Sequence, residues 1–168
     1  MPRKLGMKTA HRMAILKNQA SNLLWYGKIE TTQAKAKELR SYVEKILTLA
    51  INSYEDTVEV VVKKTDVKGK ETSVKVVKDG TKKLAARRKI MSKIYDLQEV
   101  KAKGESKSSY KERTKGINHP LVEKIFNELA PKYADRAKEL GQGGGYTRIY
   151  LLGERRGDAT ERAIIELV

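Results

Sequence analysis

The chain has 168 residues, a formal net charge of +15 and no cysteine. Without cysteine, a disulfide framework and a thiolate metal site are excluded, and no apolar run approaches the roughly 18 residues that a membrane span needs. The length suits a single domain. A sequence pI of about 9.9 is typical of a domain that binds nucleic acid. The N-terminus is basic and lacks the apolar segment of a secretory signal, so we expect a cytoplasmic protein.

The start of the chain is acid-free, because the first carboxylate is Glu30. Residues 1–8 form a predicted basic arm that becomes ordered when it meets its partner. Thr9 is the predicted N-cap of a first helix, which ends before Gly27. Clustered like charges repel each other unless an anion neutralises them, so this segment is predicted to lie against a polyanion.

A short strand at Lys28–Glu30 and a second helix follow. Thr31 or Thr32 is expected to cap that helix, because an apolar stripe at helical spacing begins just beyond them. The residues of the stripe are Ala36, Leu39, Val43, Ile46, Leu47 and Ala50.

The pattern then changes to period two. Thr57–Lys78 is predicted to form a β-hairpin around a polar turn at Lys64–Lys70, which contains Gly69. A turn at Asp79-Gly80 closes the hairpin, and a third helix is expected from Thr81 to about Tyr95. The predicted apolar residues of this helix are Leu84, Ile90, Met91 and Ile94.

The C-terminal third is predicted to contain a loop, a helix and two strands. Lys101–Gly116 is polar and rich in lysine and serine, which indicates a loop. Pro120 suits the first turn of a fourth helix, and Pro131 is expected to break or kink it. The strands are expected at Tyr146–Leu152 and Arg162–Val168. The predicted core residues of the helix are Leu121, Val122, Ile125, Phe126 and Leu129.

These elements predict an α+β fold: four or so helices packed around a small mixed β-sheet, with a basic N-terminal arm. No catalytic or metal constellation accompanies them. His11 and His119 lack ligand or base partners at a defined spacing. Gly143–Gly145 follows a helix and precedes a strand, which is the reverse of the order in a dinucleotide-binding fingerprint.

Basic clusters carry the functional signal. Arg87 and Arg88 are adjacent on one helix, point about 100° apart and suit two phosphates. Tyr146 and Arg148 alternate along a strand, which suits stacking on a base beside a phosphate contact. The pair at residues 155–156 lies between glycines. Each cluster alone could be a solvated face, but together they predict nucleic-acid binding.

The kind of nucleic acid is left open by these residues. A connection of about four residues, Gly27–Glu30, joins the first two helices, so a helix-turn-helix that reads DNA is not excluded. Cations at both ends of the chain favour a domain embedded in folded RNA. A DNA-binding architectural or regulatory protein is the alternative.

Longer blocks of sequence resemble one family, the bacterial large-subunit ribosomal proteins numbered seventeen. The blocks follow the family order from one terminus to the other. The most specific contains the run Thr-Thr-x-Ala-Lys-Ala-Lys-Glu-Leu-Arg. The blocks are His11–Asn18, Ile29–Arg40, Leu84–Arg88, Leu129–Arg136, Gly144–Ile149, Arg156–Asp158 and Ala163–Val168.

The resemblance implies a structural constituent of the large ribosomal subunit that binds ribosomal RNA near the exit of the peptide tunnel. Neighbouring ribosomal proteins would be its partners, and no catalytic activity, cofactor, small-molecule substrate or membrane is implied. Lys8 and Lys17, from the acid-free start, complete the predicted set. The other predicted RNA contacts are Arg3, Lys4, His11, Arg12, Asn18, Lys35, Lys37, Arg87, Arg88, Tyr146, Arg148, Arg155 and Arg156.

Four departures from the family pattern stand out. Residues 54–80, the hairpin, and residues 97–118, a basic loop, resemble insertions into a single RNA-binding domain that spans 1–168. Met7 occupies a position where a cation is expected. Lys138–Gln142 lengthens the approach to Tyr146.

Overall fold

The structure, a computed structural model, describes residues 3–65 and 71–168. Helix α1 (Thr9–Tyr26) ends as predicted, because Gly27 takes a left-handed conformation (φ 81°) and its N–H donates to the Leu23 carbonyl. The predicted cap at Thr9 is wrong. Lys8 holds the cap position and its carbonyl accepts the Arg12 N–H, so Thr9 is already helical.

Strand β1 (Lys28–Thr32) is two residues longer than predicted, because it pairs with strand β5 along its whole length. Helix α2 (Gln33–Ile51) begins directly after it, with Thr32 at the cap position. Every residue of the predicted α2 stripe is buried. The helix packs against α1, against three later helical segments and against the sheet, which makes it the centre of the fold.

The predicted hairpin is confirmed as strands β2 (Thr57–Thr65) and β3 (Glu71–Asp79), which pair antiparallel. Residues 66–70, most of the predicted turn, lie outside the described residues. One face of the ribbon is apolar, and its described valines are exposed or half-buried. The valines on this face are Val58, Val60, Val62, Val74 and Val76.

The base of the hairpin is fixed to helix α3 (Thr81–Lys93). Oδ2 of Asp56 accepts hydrogen bonds from the Lys82 N–H at 2.8 Å and from the Lys83 N–H at 3.3 Å, so its carboxylate caps the helix. Gly80 makes room for this contact, because a Cβ at that position would collide with the Asp56 carboxylate.

The buried face of α3 differs from the predicted one. Lys83 lies on the core side, with Nζ 3.6 Å from the Asp79 carboxylate and 5.8 Å from the Phe126 ring centroid. A lysine stem can cover apolar surface while its charge is paired, so this cation faces inward. Of the predicted apolar residues, Ile90 and Ile94 are buried, whereas Leu84 and Met91 are exposed.

The segment predicted as a loop contains helix α4 (Lys107–Thr114), so that prediction is wrong in part. Ser106 caps the helix by accepting the Ser109 N–H at 3.1 Å. None of its residues is buried. Arg113 pairs with Glu105 and with Glu99, which lie before the helix. A helix held by a cap and ion pairs has no apolar stripe, and the sequence pattern therefore missed it.

The last helical stretch is continuous and consists of α5 (Pro120–Lys124), a π-helical turn (Ile125–Leu129) and α6 (Ala130–Leu140). The break or kink expected at Pro131 takes the form of this wider turn. The Ala130 N–H donates to the Ile125 carbonyl, five residues back. π-helical turns are rare and occur mostly as single turns inside α-helices, where, like prolines, they mark kinks. All the predicted core residues of the stretch are buried.

Strands β4 (Thr147–Glu154) and β5 (Glu161–Leu167) complete a three-stranded sheet of order β1–β5–β4. The α+β class is confirmed. The sheet is antiparallel throughout, however, and not mixed as predicted. The β4–β5 connection is a hairpin, and β1 runs antiparallel beside β5. Ile29, Ile149 and Ile165 lie in one row and face the helices.

Candidate nucleic-acid interface

The surface of α1 that faces away from the core carries the polar residues predicted to contact RNA. His11 and Asn18 are exposed and lie seven residues apart, on the same side of the helix. Asn22 extends this line by donating to Oδ1 of Asn18 at 2.9 Å. Arg3, Lys4 and Lys8 of the arm are exposed as well. The arm and α1 together present a continuous basic and polar surface.

Two predicted cations of α1 lie on its flanks, where they are half-buried. Arg12 lines a groove between α1 and α2, and Lys45 of α2 lines the same groove. Lys17 lies over the ring of Tyr95, with Nζ 6.0 Å from the ring centroid. These contacts hold the aliphatic stems against the protein.

A cleft of about 280 Å³ brings together Lys35 and Arg155, which are 120 residues apart in the chain. Lys35 stands in the first turn of α2, a turn without acidic residues. Arg162 of β5 also lines the cleft, and the sequence analysis missed it. Its Nη1 lies 3.2 Å from Oε1 of Glu30, and its buried Nε has no partner among the described residues. The cleft is therefore lined by three cations and one carboxylate, while Asp158 pairs with Arg155 in the adjacent turn.

Arg87 has a structural position, so its predicted phosphate contact is not supported. Its Nε donates to Asp79 at 2.6 Å, its Nη1 donates to Glu123 at 2.5 Å, and its guanidinium lies 5.1 Å from the centroid of Phe126. Desolvation lowers the pKa of Arg87, but the hydrogen bonds that it donates to the two carboxylates, together with their negative charge, outweigh this and leave that pKa raised. Arg88, its neighbour, is exposed and available to a phosphate.

Tyr146 is also a core residue, so its predicted RNA contact is not supported. Its side chain is only 6% exposed. Its ring packs on Tyr133, with centroids 5.1 Å apart and planes tilted by 56°. Tyr146 precedes β4 instead of lying within it, so strand alternation does not put its side chain on the same face as Arg148. Nucleotide stacking on Tyr146 would require opening the core.

Arg148 is exposed on β4, and the aromatic residue on its face is Tyr150, 44% exposed, which the sequence analysis missed. The two residues are separated by one position, so their side chains point to the same side of the strand. The signal was present in the sequence as a second tyrosine at the same spacing from Arg148. Because β4 begins at Thr147, Tyr150 lies within the strand and shares a face with Arg148, whereas Tyr146 lies outside the strand.

The turn between β4 and β5 presents the last predicted pair. Arg155 donates to Asp158 through Nε at 2.9 Å and through Nη2 at 2.5 Å, and these hydrogen bonds hold the pKa of Asp158 well below its usual range. Arg156 is exposed. The turn thus offers one arginine that is fixed by a carboxylate and one that is not.

The predicted cations divide by their ion pairs. Arg87 and Arg155 pair with carboxylates, and the remaining lysines and arginines of the set form no ion pair within 4.0 Å in the part of the chain that the structure describes. A folded protein with this many uncompensated cations attracts polyanions. The unpaired cations are Arg3, Lys4, Lys8, Arg12, Lys17, Lys35, Lys37, Arg88, Arg148 and Arg156.

The two histidines have separate surroundings. His11 is exposed on α1. His119 lies at the start of α5, and its Nδ1 is 3.0 Å from the Asp96 carboxylate. Across residues 3–65 and 71–168, no group of three or more His, Cys, Asp or Glu side chains is placed to hold a metal ion. Over the same residues, no helix has the length and apolarity to cross a membrane.

Comparison with known proteins decides the family. The profile of the family described as Ribosomal protein L17 matches residues 15–168. The chain belongs to the ribosomal protein L17 family. It is 38% identical to the large ribosomal subunit protein bL17 of Lachnospira eligens, over 99% of this chain and 98% of that protein. The bL17 protein of Ruminiclostridium cellulolyticum is 40% identical, with the same coverage.

Membership in the L17 family confirms the resemblance found in the sequence. The chain is accordingly a structural constituent of the large ribosomal subunit and not an enzyme. The bL17 protein of Clostridium botulinum (strain Hall) is a further relative, at 36% identity over 99% of this chain and 96% of its own length. These relatives match 99% of the chain, and the family profile matches it from residue 15, within α1, to the end of β5.

Proposed function

We propose that the protein binds large-subunit ribosomal RNA through phosphate and ribose contacts and thereby stabilises the folded RNA. The unpaired cations carry this proposal. They are spread over the arm, α1, α2, α3, β4 and the turn between β4 and β5, and are not confined to one recognition helix. Such a distribution suits RNA that wraps around the domain, which proteins recognise mainly by shape and backbone.

The order of the first elements favours RNA over the DNA alternative. A helix-turn-helix needs two helices joined by a short turn. Here β1 separates α1 from α2 and is hydrogen-bonded to β5 in the sheet. The two helices are therefore held by the sheet instead of forming a recognition pair.

The proposal includes a position near the exit of the peptide tunnel, with neighbouring ribosomal proteins as partners. This position rests on the family resemblance of the sequence blocks. It can be tested with large subunits that carry a stalled nascent chain with a photo-crosslinker at its emerging residues. Crosslinks to this protein support the position, whereas crosslinks to other subunit proteins alone would rule it out.

Binding can be measured by fluorescence anisotropy with a folded large-subunit rRNA fragment and with duplex DNA of equal length. Arg88→Ala and Lys37→Ala each remove an exposed, unpaired charge, and each is expected to weaken RNA binding about threefold to tenfold. Arg113→Ala and Lys138→Ala are matched controls, because these cations already pair with carboxylates of the chain.

Three outcomes decide the proposal. Weaker RNA binding by the first two variants, with near-normal binding by the controls, supports specific phosphate contacts. Equal losses in all four variants would reduce the interaction to net charge alone and contradict the assigned surface. Tighter binding to the duplex DNA than to the rRNA fragment would favour the DNA-binding alternative.

A further inference from the structure

One face of the three-stranded sheet is not covered by any helix of residues 3–65 and 71–168. Exposure alternates from Arg148 to Tyr150 on β4 and from Arg162 to Glu166 on β5, so every second side chain there points away from the core. The central row of this outer face consists of Tyr150, Ile164 and Glu30, which are paired across the three strands. The next row contains Arg148, Glu166 and Lys28 in the same strand order.

Cations flank Tyr150 at both ends of this face. Arg148 is two residues before it on β4, about 6.6 Å away along the strand. On the side of Tyr150 opposite Arg148, Arg162 lies two residues before Ile164 on β5. Arg162 lines the cleft that Lys35 and Arg155 also line. Arg148 pairs across the strands with Glu166, four residues from Arg162 on β5, so the two cations lie about 13 Å apart along the strands with Tyr150 between them.

We infer that this outer face is a seat for one unpaired RNA nucleotide, whose base stacks on Tyr150 beside Ile164. The backbone phosphates of the RNA strand on either side of this nucleotide reach Arg148 at one end and the cleft of Lys35 and Arg162 at the other. Aromatic side chains on exposed sheets bind unpaired bases in this way. The inference deepens the proposed function and rests on it.

The carboxylates of the face help to define what occupies its centre. Glu30 is in the same row as Tyr150 and pairs with Arg162 at 3.2 Å, while Glu166 is half-buried between Arg148 and Lys28. A phosphate placed directly over the middle of the sheet would meet these two negative charges. A neutral base avoids that repulsion, so the centre suits a base and the ends suit phosphates.

Two exposed leucines, Leu151 and Leu152, continue β4 beyond Tyr150. They lie at the position where the β4–β5 register shifts, between Leu151 and Gly153. An apolar protein surface could contact these leucines, but it would leave the charges of Arg148 and Lys35 desolvated without an anionic partner, which is costly. RNA satisfies both the ring and the charges, and the occupant is therefore inferred to be RNA.

The test compares Tyr150→Ala with Tyr150→Phe in the full-length protein. The probes are a large-subunit rRNA fragment with a single-stranded loop, labelled there with 2-aminopurine, and a fully paired RNA of the same length. Tyr150→Ala is expected to weaken loop binding about tenfold and to abolish the quenching of 2-aminopurine, because the stack is lost. Tyr150→Phe keeps the ring and should behave like the unchanged protein.

Tyr26→Ala serves as the matched control, since Tyr26 is 67% exposed at the end of α1 and outside the sheet. It should leave loop binding and quenching unchanged, and all three variants should bind the fully paired RNA normally. If Tyr150→Ala binds the loop as tightly as the unchanged protein does, the inference is wrong while the proposed function stands. If the unchanged protein binds neither RNA, the proposed function itself fails. Unchanged circular dichroism would show that each variant is folded.

Discussion

Single residues decide whether a basic cluster contacts a ligand or holds the fold. Arg87 and Arg88 are neighbours of the same type, and the sequence gives no local reason to separate them. Asp79 and Glu123, which come from β3 and α5, occupy the guanidinium of Arg87 and leave that of Arg88 in solvent. These partners lie eight and thirty-six residues away along the chain, so only the packing of α3 reveals them.

Arg87→Ala is expected to lower the free energy of unfolding by about 1 to 3 kcal/mol. Its partners Asp79 and Glu123 would lose their cation, and partial exposure of the three groups keeps the cost below that of a fully buried pair. Arg88→Ala, at an exposed site, should change stability by less than about 0.5 kcal/mol. Urea denaturation measures both values. Similar losses in the two variants would contradict the structural role of Arg87.

Tyr133 gives a second prediction at this scale. Burial raises the pKa of Tyr133 to about 12, and its hydroxyl has no hydrogen-bond partner among the described residues. The pKa of Tyr133 in the folded state lies above its ordinary value near 10. The contribution of the protonated Tyr133 to stability is therefore fully present below pH 10 and is lost as the pH rises towards 12.

Tyr133→Phe removes this titrating group. At pH 11 the unchanged protein should lose about 1 kcal/mol of stability through Tyr133 that the variant keeps. The difference between the two unfolding free energies, measured at pH 8 and again at pH 11, isolates this contribution from that of the other tyrosines. A difference that does not change between the two pH values would show that Tyr133 is not shielded from solvent in the fold.

At the scale of elements, the apolar stripes predicted α1, α2 and the core of α5–α6 well, because burial produced the pattern being read. The pattern failed where other forces hold an element. The cap and ion pairs of α4 leave no stripe, and Lys83 and Arg87 turn a charged side of α3 inward. The antiparallel sheet depends on β1 pairing with β5, more than 130 residues later, which local sequence does not encode.

The tip of the hairpin is separate from the core, whereas its base is fixed to α3 by Asp56. Shortening the tip and removing the Asp56 cap of α3 should therefore have different effects. Replacing residues 61–75 by Asn-Gly joins Val60 to Val76, which face each other across the ribbon, and should change stability little. Asp56→Ala removes the cap of α3 and should cost about 1 kcal/mol.

Thermal unfolding of both proteins, followed by circular dichroism, checks this division. Deletion of the whole segment 54–80 should leave a folded but less stable protein, because the cap and one partner of Arg87 go with it. If the protein with the shortened hairpin unfolds without cooperativity, the hairpin tip belongs to the core, and the division between a separate tip and a fixed base is wrong.

At the scale of the molecule, charge and sequence blocks predicted the class of protein, and the fold then sorted the site. Ten predicted lysines and arginines form no ion pairs with described residues. Lys35, Arg155 and Arg162 meet in one cleft through pairing of distant strands. The formation of this cleft and the exposure of Tyr150 depend on the pairing of strands that are far apart in the chain. The sequence alone therefore pointed to Tyr146 in place of Tyr150 and omitted Arg162.

The most direct test of the central claim is the salt dependence of binding to a folded large-subunit rRNA fragment. If about six phosphates are neutralised, the logarithm of the affinity should fall with the logarithm of salt concentration at a slope of roughly −4 to −5, because bound counterions are released. A variant that combines Lys37→Ala, Arg88→Ala and Arg148→Ala should show a slope shallower by about 2. Affinity that stays flat between low and moderate salt, or a variant slope equal to that of the unchanged protein, would contradict the account.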